Sequence, residues 1–191
     1  MIFKREIGRH HLDLLATIPI FLAGSALHFA YGWLGQWPPA ALFAAVNESV
    51  WEHLKIAFWP ALFWAAVQLW LGRPKESGYW AARGFGLLTI TVAITVIFYG
   101  YTAILGNNLL PLDIATFAVS ILFGQAVTIL ALPAVRRRRQ VRILGLAALL
   151  AQVGAFSAFS YAPPHLVLFK DARNGLYGLS AYDAISHHRA D

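Results

Sequence analysis

Nine consecutive residues, Asn47-Glu48-Ser49-Val50-Trp51-Glu52-His53-Leu54-Lys55, place two carboxylates, an imidazole, an ammonium and a hydroxyl between apolar stretches. Histidine nitrogen and carboxylate oxygen are zinc ligands, and a catalytic zinc keeps three protein ligands and one open position. The expected ligand set is His28 and His53 with Glu48 or Glu52, to which His165 and Asp171 from the C-terminal tail add further candidates. The carboxylate outside the coordination sphere would act as general base on a bound water, whose pKa the ion lowers to about 7. Glu52, Glu48 and Ser49 are thus the catalytic candidates, and Asn47, Lys55 and Tyr177 complete the polar site. No His-Glu-x-x-His motif is present, so the spacing alone names no reaction.

These groups are costly where they stand. Of 191 residues, 59% are hydrophobic and 13% charged, and mean hydropathy is +0.59. An average soluble domain is about 25% charged, so a water-soluble monomer of this make-up would expose unacceptably large apolar patches. Composition therefore excludes a soluble enzyme, a disordered tail and a nucleic-acid-binding domain, and implies an all-α polytopic membrane bundle. A charge at bilayer centre costs about 2.5–3.5 kcal/mol, so Glu48, Glu52 and Lys55 unpaired would cost on the order of 8–10 kcal/mol. The absence of cysteine removes disulfides and thiolate chemistry.

Five stretches are long enough to cross a bilayer, near residues 12–34, 49–71, 80–105, 112–132 and 141–161. They form one transmembrane region, 1–162, followed by a tail, 163–191. With the N-terminus inside, cytoplasmic segments hold Lys4, Arg5, Arg9, Arg73, Lys75, Arg83, Arg136, Arg137, Arg138, Arg139 and Arg142, eleven of the 15 basic residues. That bias orients the chain and puts the tail outside. Tyr31, Trp33 and Trp37 at the outer level, with Trp70 and Trp80 at the inner, read as aromatic belts. The Arg136–Arg139 run reads as a topological stop, and the first span as an uncleaved anchor because its apolar stretch continues past Ala23–Ala26. The expected setting is a bacterial inner membrane, with the bilayer, a second copy or a membrane complex as partners, and no nucleic acid.

The second span has two arrangements open to it: one long helix from Ala40, or a helix beginning at Ser49. Ser49-Val50-Trp51-Glu52 reads as a capping box, in which the Ser hydroxyl accepts from the Glu52 N–H and the Glu52 side chain returns to the Ser49 N–H. A start at Ser49 gives 23 residues, about 34 Å, close to one bilayer core. Residues 40–48 would then be a re-entrant piece, tolerated at membrane depth only under cover of protein or water. Helical spacing puts Glu48, Glu52 and Lys55 on one stripe and pairs Ser49 with His53. His28 lies about 9 Å from the outer end of the first span, level with the start of the second. In the tail, Asp171-Ala172-Arg173-Asn174-Gly175 reads as a tight turn, flanked by short strands at Leu166–Phe169 and from Leu176, able to cover the site.

Leu27-His28-Phe29-Ala30-Tyr31 with Val46–Lys55, and Pro163-Pro164-His165, Leu168–Asp171 and Gly175–Gly178 in the tail, resemble a family of small bacterial multi-pass membrane proteins labelled only as a domain of unknown function. The resemblance covers essentially the whole chain and implies a fold and an outward polar site, not a reaction. A weaker likeness is to intramembrane zinc hydrolases of the ceramidase and progestin-receptor-like group; five spans instead of seven and the lack of a His-x-x-x-His pair on the last helix reduce it to analogy. Three functional classes stay open: a zinc-dependent hydrolase of a lipid or lipid-linked substrate, a small-solute or ion binder or transporter built on a broken helix, and an accessory or scaffolding subunit.

Overall fold

The computed structural model describes residues 13–71 and 77–181. Lys4, Arg5, Arg9, Arg73 and Lys75, read above as cytoplasmic charges, lie outside them. The fold is all-helical, and the described residues hold five long helices: α1 (Thr17–Trp33), α2 (Val50–Trp70), α3 (Tyr79–Leu105), α4 (Leu110–Arg137) and α5 (Arg139–Ala158). Four stretches are long and apolar enough to cross a membrane, Asp13–Trp33, Tyr79–Leu105, Leu110–Arg137 and Arg139–Ala158. The helix that does not qualify is α2, the one carrying Glu52, His53, Lys55 and Gln68.

The burial pattern explains why α2 tolerates its polar residues. Of the eleven positions from Trp51 to Ala61, all but His53 are buried, so the rest of the protein wraps α2 on every side near its start. The other helices turn apolar side chains outward instead, among them Leu15, Ile18, Leu22, Val92, Val96, Leu130, Leu144 and Leu150. A helix that is apolar outward as well as inward belongs in hydrocarbon. Little hydrophobic force joins helices there, so close backbone approach must do it. Glycines supply it. A Cβ on Gly124 would lie 2.6 Å from the Gly86 carbonyl oxygen, and one on Gly84 would lie 2.0 Å from that of Gly145. These contacts seat α3 against both α4 and α5.

Arg83, counted above among loop charges, is buried in α3. Its guanidinium binds Asp13 at 3.0 Å and Gln125 at 2.6 Å, also reaching Gln68 and the Tyr79 hydroxyl. The Tyr79 hydroxyl in turn donates to the Ala65 carbonyl. Four helical segments thus meet on one buried cation, with every group partnered, as a buried charge requires. This knot fixes the end of the bundle remote from His28.

Between α1 and α2 the chain makes a short 3₁₀ turn (Pro38–Leu42), then runs non-helically to Ser49. After α5, Trp51 stacks on Phe156 (4.5 Å between ring centres) and on Phe169 (4.6 Å), drawing the tail back across the start of α2. The expected flanking strands do not form. Val167–Phe169 is a 3₁₀ turn, and one antiparallel bridge, Lys170 to Tyr177, closes the loop. The turn itself satisfies its N–H groups with the Asp171 carboxylate, leaving no need for a longer ladder.

Candidate functional site

Irregular backbone inside a membrane must find partners within the protein, and residues 40–49 find them largely in α2. The Lys55 ammonium donates to the Ala41 carbonyl at 2.7 Å, and Glu52 Oε2 accepts from the Val46 N–H at 3.0 Å. Lys55 and Glu52 pair at 2.5 Å, and the Ser160 hydroxyl accepts from Lys55 and donates to Glu52. Asn47 Oδ1 accepts from the Ser49 N–H, while its amide donates to the Gly178 carbonyl. All five side chains or residues in this knot, Asn47, Ser49, Glu52, Lys55 and Ser160, are buried. Half of the capping box forms: the Ser49 hydroxyl accepts from Glu52 N at 3.4 Å, but the Glu52 carboxylate returns to Val46. Asn47 has already taken the Ser49 N–H, which displaces the reciprocal bond by three residues.

Ser49 is the N-cap of α2, so Glu48 lies before the helix and leaves the stripe shared by Glu52 and Lys55. It turns toward two imidazoles. Glu48 Oε1 is 3.7 Å from His28 Nε2, and Oε2 is 3.7 Å from His53 Nε2. The two rings are 5.1 Å apart. One ligand atom from each of His28, Glu48 and His53 lies within 4.8 Å of the others, and all three residues are half-buried. The His53 Nδ1 sits 2.8 Å from the Ser49 carbonyl oxygen; His28 Nδ1 is buried and has no hydrogen-bond partner.

The tail adds a fourth polar group. Arg173 pairs with Glu48 Oε1 at 2.9 Å. It is delivered by Asp171, whose Oδ2 accepts from the Glu48 N–H at 2.9 Å and whose Oδ1 accepts from Arg173 N and Asn174 N. Gly175, with φ +74°, closes the turn by donating to the Asp171 carbonyl.

His28, Glu48, His53 and Arg173 line a cavity of about 690 Å³. The rest of its lining is largely apolar, with Phe21, Ile56, Ile94, Phe98, Ile114 and Phe117, and includes Asn108 and Asp113 from the α3–α4 connection and the start of α4. That size and this mixture of an apolar wall with a few polar groups are those of a small-molecule site.

Of the residues expected to act together, the fold thus unites His28, Glu48 and His53. Glu52, Lys55 and Ser49 hold the backbone around them. Asp171 spends its carboxylate oxygens on main-chain N–H groups, and His165 is exposed and stacks on Tyr177 at 4.6 Å. Neither joins the three-residue group. Arg173, Asp113 and Ser160 were not singled out by sequence. Asp113 carried a signal, a lone carboxylate one turn inside an apolar span; Ser160 carried none.

No curated protein and no solved structure matches this chain. The family model of DUF6512 matches residues 3–179. The chain, with its polar segment, buried loop and the tail as far as Leu179 inside that match, belongs to this family of unknown function.

Proposed function

We propose that the chain is a five-span protein of a bacterial inner membrane, N-terminus inside, and that its outward cavity holds a metal-dependent hydrolase site for a lipid or lipid-linked ester or amide. One observation carries the reading: two imidazoles and one carboxylate converge at the polar end of an apolar cavity. Ligands bound tetrahedrally at 2.0–2.1 Å are about 3.3 Å apart. The two His–Glu separations of 3.7 Å are within a small side-chain rotation of that. His53 has the outer-sphere carbonyl partner that metal-bound histidines use to fix their orientation. Zinc fits the N,N,O donor set and would supply an activated water and a polarised carbonyl. Of the two glutamates, Glu48 is the one that borders the cavity, so its second oxygen takes the proton-accepting role first divided between Glu48 and Glu52.

The five-span topology has support in α2 itself. It is 21 residues long, and the partners of its polar groups come from the protein, which removes the insertion penalty that its composition implies.

Metal analysis of the purified protein tests the reading. About one zinc ion per chain is expected, lost in the double variant His28→Ala/His53→Ala together with hydrolysis of acyl lipids in vesicles. Protein that holds no ion and takes none up on zinc addition overturns it. The accessory-subunit reading draws on a different fact: Arg173 already neutralises Glu48 without any ion. A metal-free protein that co-purifies with a fixed membrane partner favours that reading.

A further inference from the structure

Besides Glu48, the cavity lining carries two charges of opposite sign, from the tail and from the start of α4. On the tail side stands Arg173, with 59% of its side chain exposed and a single ion pair, through one terminal nitrogen, to Glu48. A guanidinium has five N–H donors in a planar fork suited to phosphate oxygens, so most of its capacity is unspent. On the α3–α4 side stands Asp113. Tyr101 donates to Oδ1, and the Asn108 amide donates to Oδ2 at 2.9 Å. Both partners are neutral, and among the described residues no cation lies within ion-pair distance of Asp113. A carboxylate has about four acceptor sites, which leaves room for further N–H donors.

The rest of the lining is largely apolar and reaches the outer surface of the helices. Phe29, Leu110 and Ile114 line the cavity yet are 56%, 70% and 49% exposed on the surface that the apolar helices present. A site for a water-soluble solute has no use for such a rim; an acyl chain entering from the bilayer does.

We propose that the cavity takes a zwitterionic phospholipid bearing a primary ammonium, of the phosphoethanolamine type. Its acyl chain lies against Phe21, Ile94 and Phe117, its phosphate meets Arg173, and its ammonium donates to Asp113. A quaternary ammonium has no N–H to give Asp113, and a glycerol headgroup brings no positive charge. The assignment names the substrate class for the hydrolase reading, but the binding it describes needs no ion.

The test uses the full chain, delipidated in detergent with a chelator present, and competition for binding followed by native mass spectrometry. Phosphatidylethanolamine should be retained about tenfold over phosphatidylglycerol and phosphatidylcholine. Asp113→Asn should bring phosphatidylethanolamine down to the level of phosphatidylglycerol. Arg173→Gln should weaken all three about equally, with unchanged melting temperature in the absence of lipid confirming that both variants fold. Equal retention of the three lipids by the unaltered chain overturns the proposal, as does an Asp113→Asn variant that keeps the preference, or free phosphoethanolamine competing as well as the lipid. Because the chelator removes any ion, a preserved lipid preference in a protein that never binds zinc would sink the hydrolase reading alone, and a zinc protein without the preference would sink this one alone.

Discussion

His53 Nδ1 lies 2.8 Å from the carbonyl oxygen of Ser49, one turn back in the chain. A carbonyl only accepts, so Nδ1 carries a proton, and Nε2, which faces Glu48, is the nitrogen left to ligate an ion. The cap of α2 therefore sets the tautomer of the imidazole as well as the start of the helix, and an imidazole so held is ready to ligate.

Metal affinity should follow from that arrangement. Replacing His53 or His28 with Ala, or Glu48 with Gln, is expected to weaken zinc binding by more than about 100-fold, beyond the 10–100-fold typical of losing an outer-sphere partner. Titration of purified protein against a competing chelator measures it. Binding should also weaken on acidification, since protons compete with the ion for both imidazoles. Retention of affinity in His53→Ala would remove that residue from the ligand set.

The Glu52–Lys55 pair should behave as architecture. Lys55→Met strands a carboxylate that is 1% exposed, and losing one partner of a buried pair costs about 3–5 kcal/mol. The double variant Glu52→Gln/Lys55→Met should recover a large part of that loss. Unfolding in mixed detergent micelles reads both values, and zinc affinity of the double variant should stay within about threefold of the parent if Glu52 is no ligand.

Asp171 is predicted to act on the tail and not on the ion. Asp171→Ala leaves the N–H groups of Glu48, Arg173 and Asn174 without their acceptor. A local loss of about 1–3 kcal/mol is expected, visible as faster amide exchange at those three positions with little change in α3 and α4. Uniformly faster exchange would instead mean that the loop is part of the global fold.

Gly124→Val should damage the α3–α4 contact. Its Cβ would sit 2.2 Å from Ile90 Cγ1 and 2.6 Å from the Gly86 carbonyl, and overpacking of this kind costs about 1–3 kcal/mol or more. Gly154→Ala, with nothing within 4 Å, should be neutral or raise stability by up to about 1 kcal/mol. Melting temperatures of the two variants side by side provide the check.

The elements that periodicity and length control were legible in advance. Helix positions, the start of α2 at Ser49, the Asp171–Gly175 turn and the meeting of His28 with Glu48 and His53 all depend on local spacing or on short connections. What sequence misplaced depends on contacts made across the chain. Glu48 was put on the Glu52 stripe because helical spacing was extended one residue too far, and the Asn47 side chain is what ends the helix there. Arg83 was counted with the loops because its partners Asp13, Gln68 and Gln125 come from three other helical segments. Ser160 and Arg173 gain meaning only once α5 and the tail fold back over α2, a long-range event that no window of residues reports.

The bond between Lys55 and Ser160 spans 105 positions and has a consequence for how the chain is made. When α2 leaves the ribosome, the hydroxyl that completes its ionic knot has not yet been translated. Until that residue is made, Lys55 and Glu52 hold only each other and the loop before α2, so the sealing of the second helix is completed by residues synthesised after the fifth.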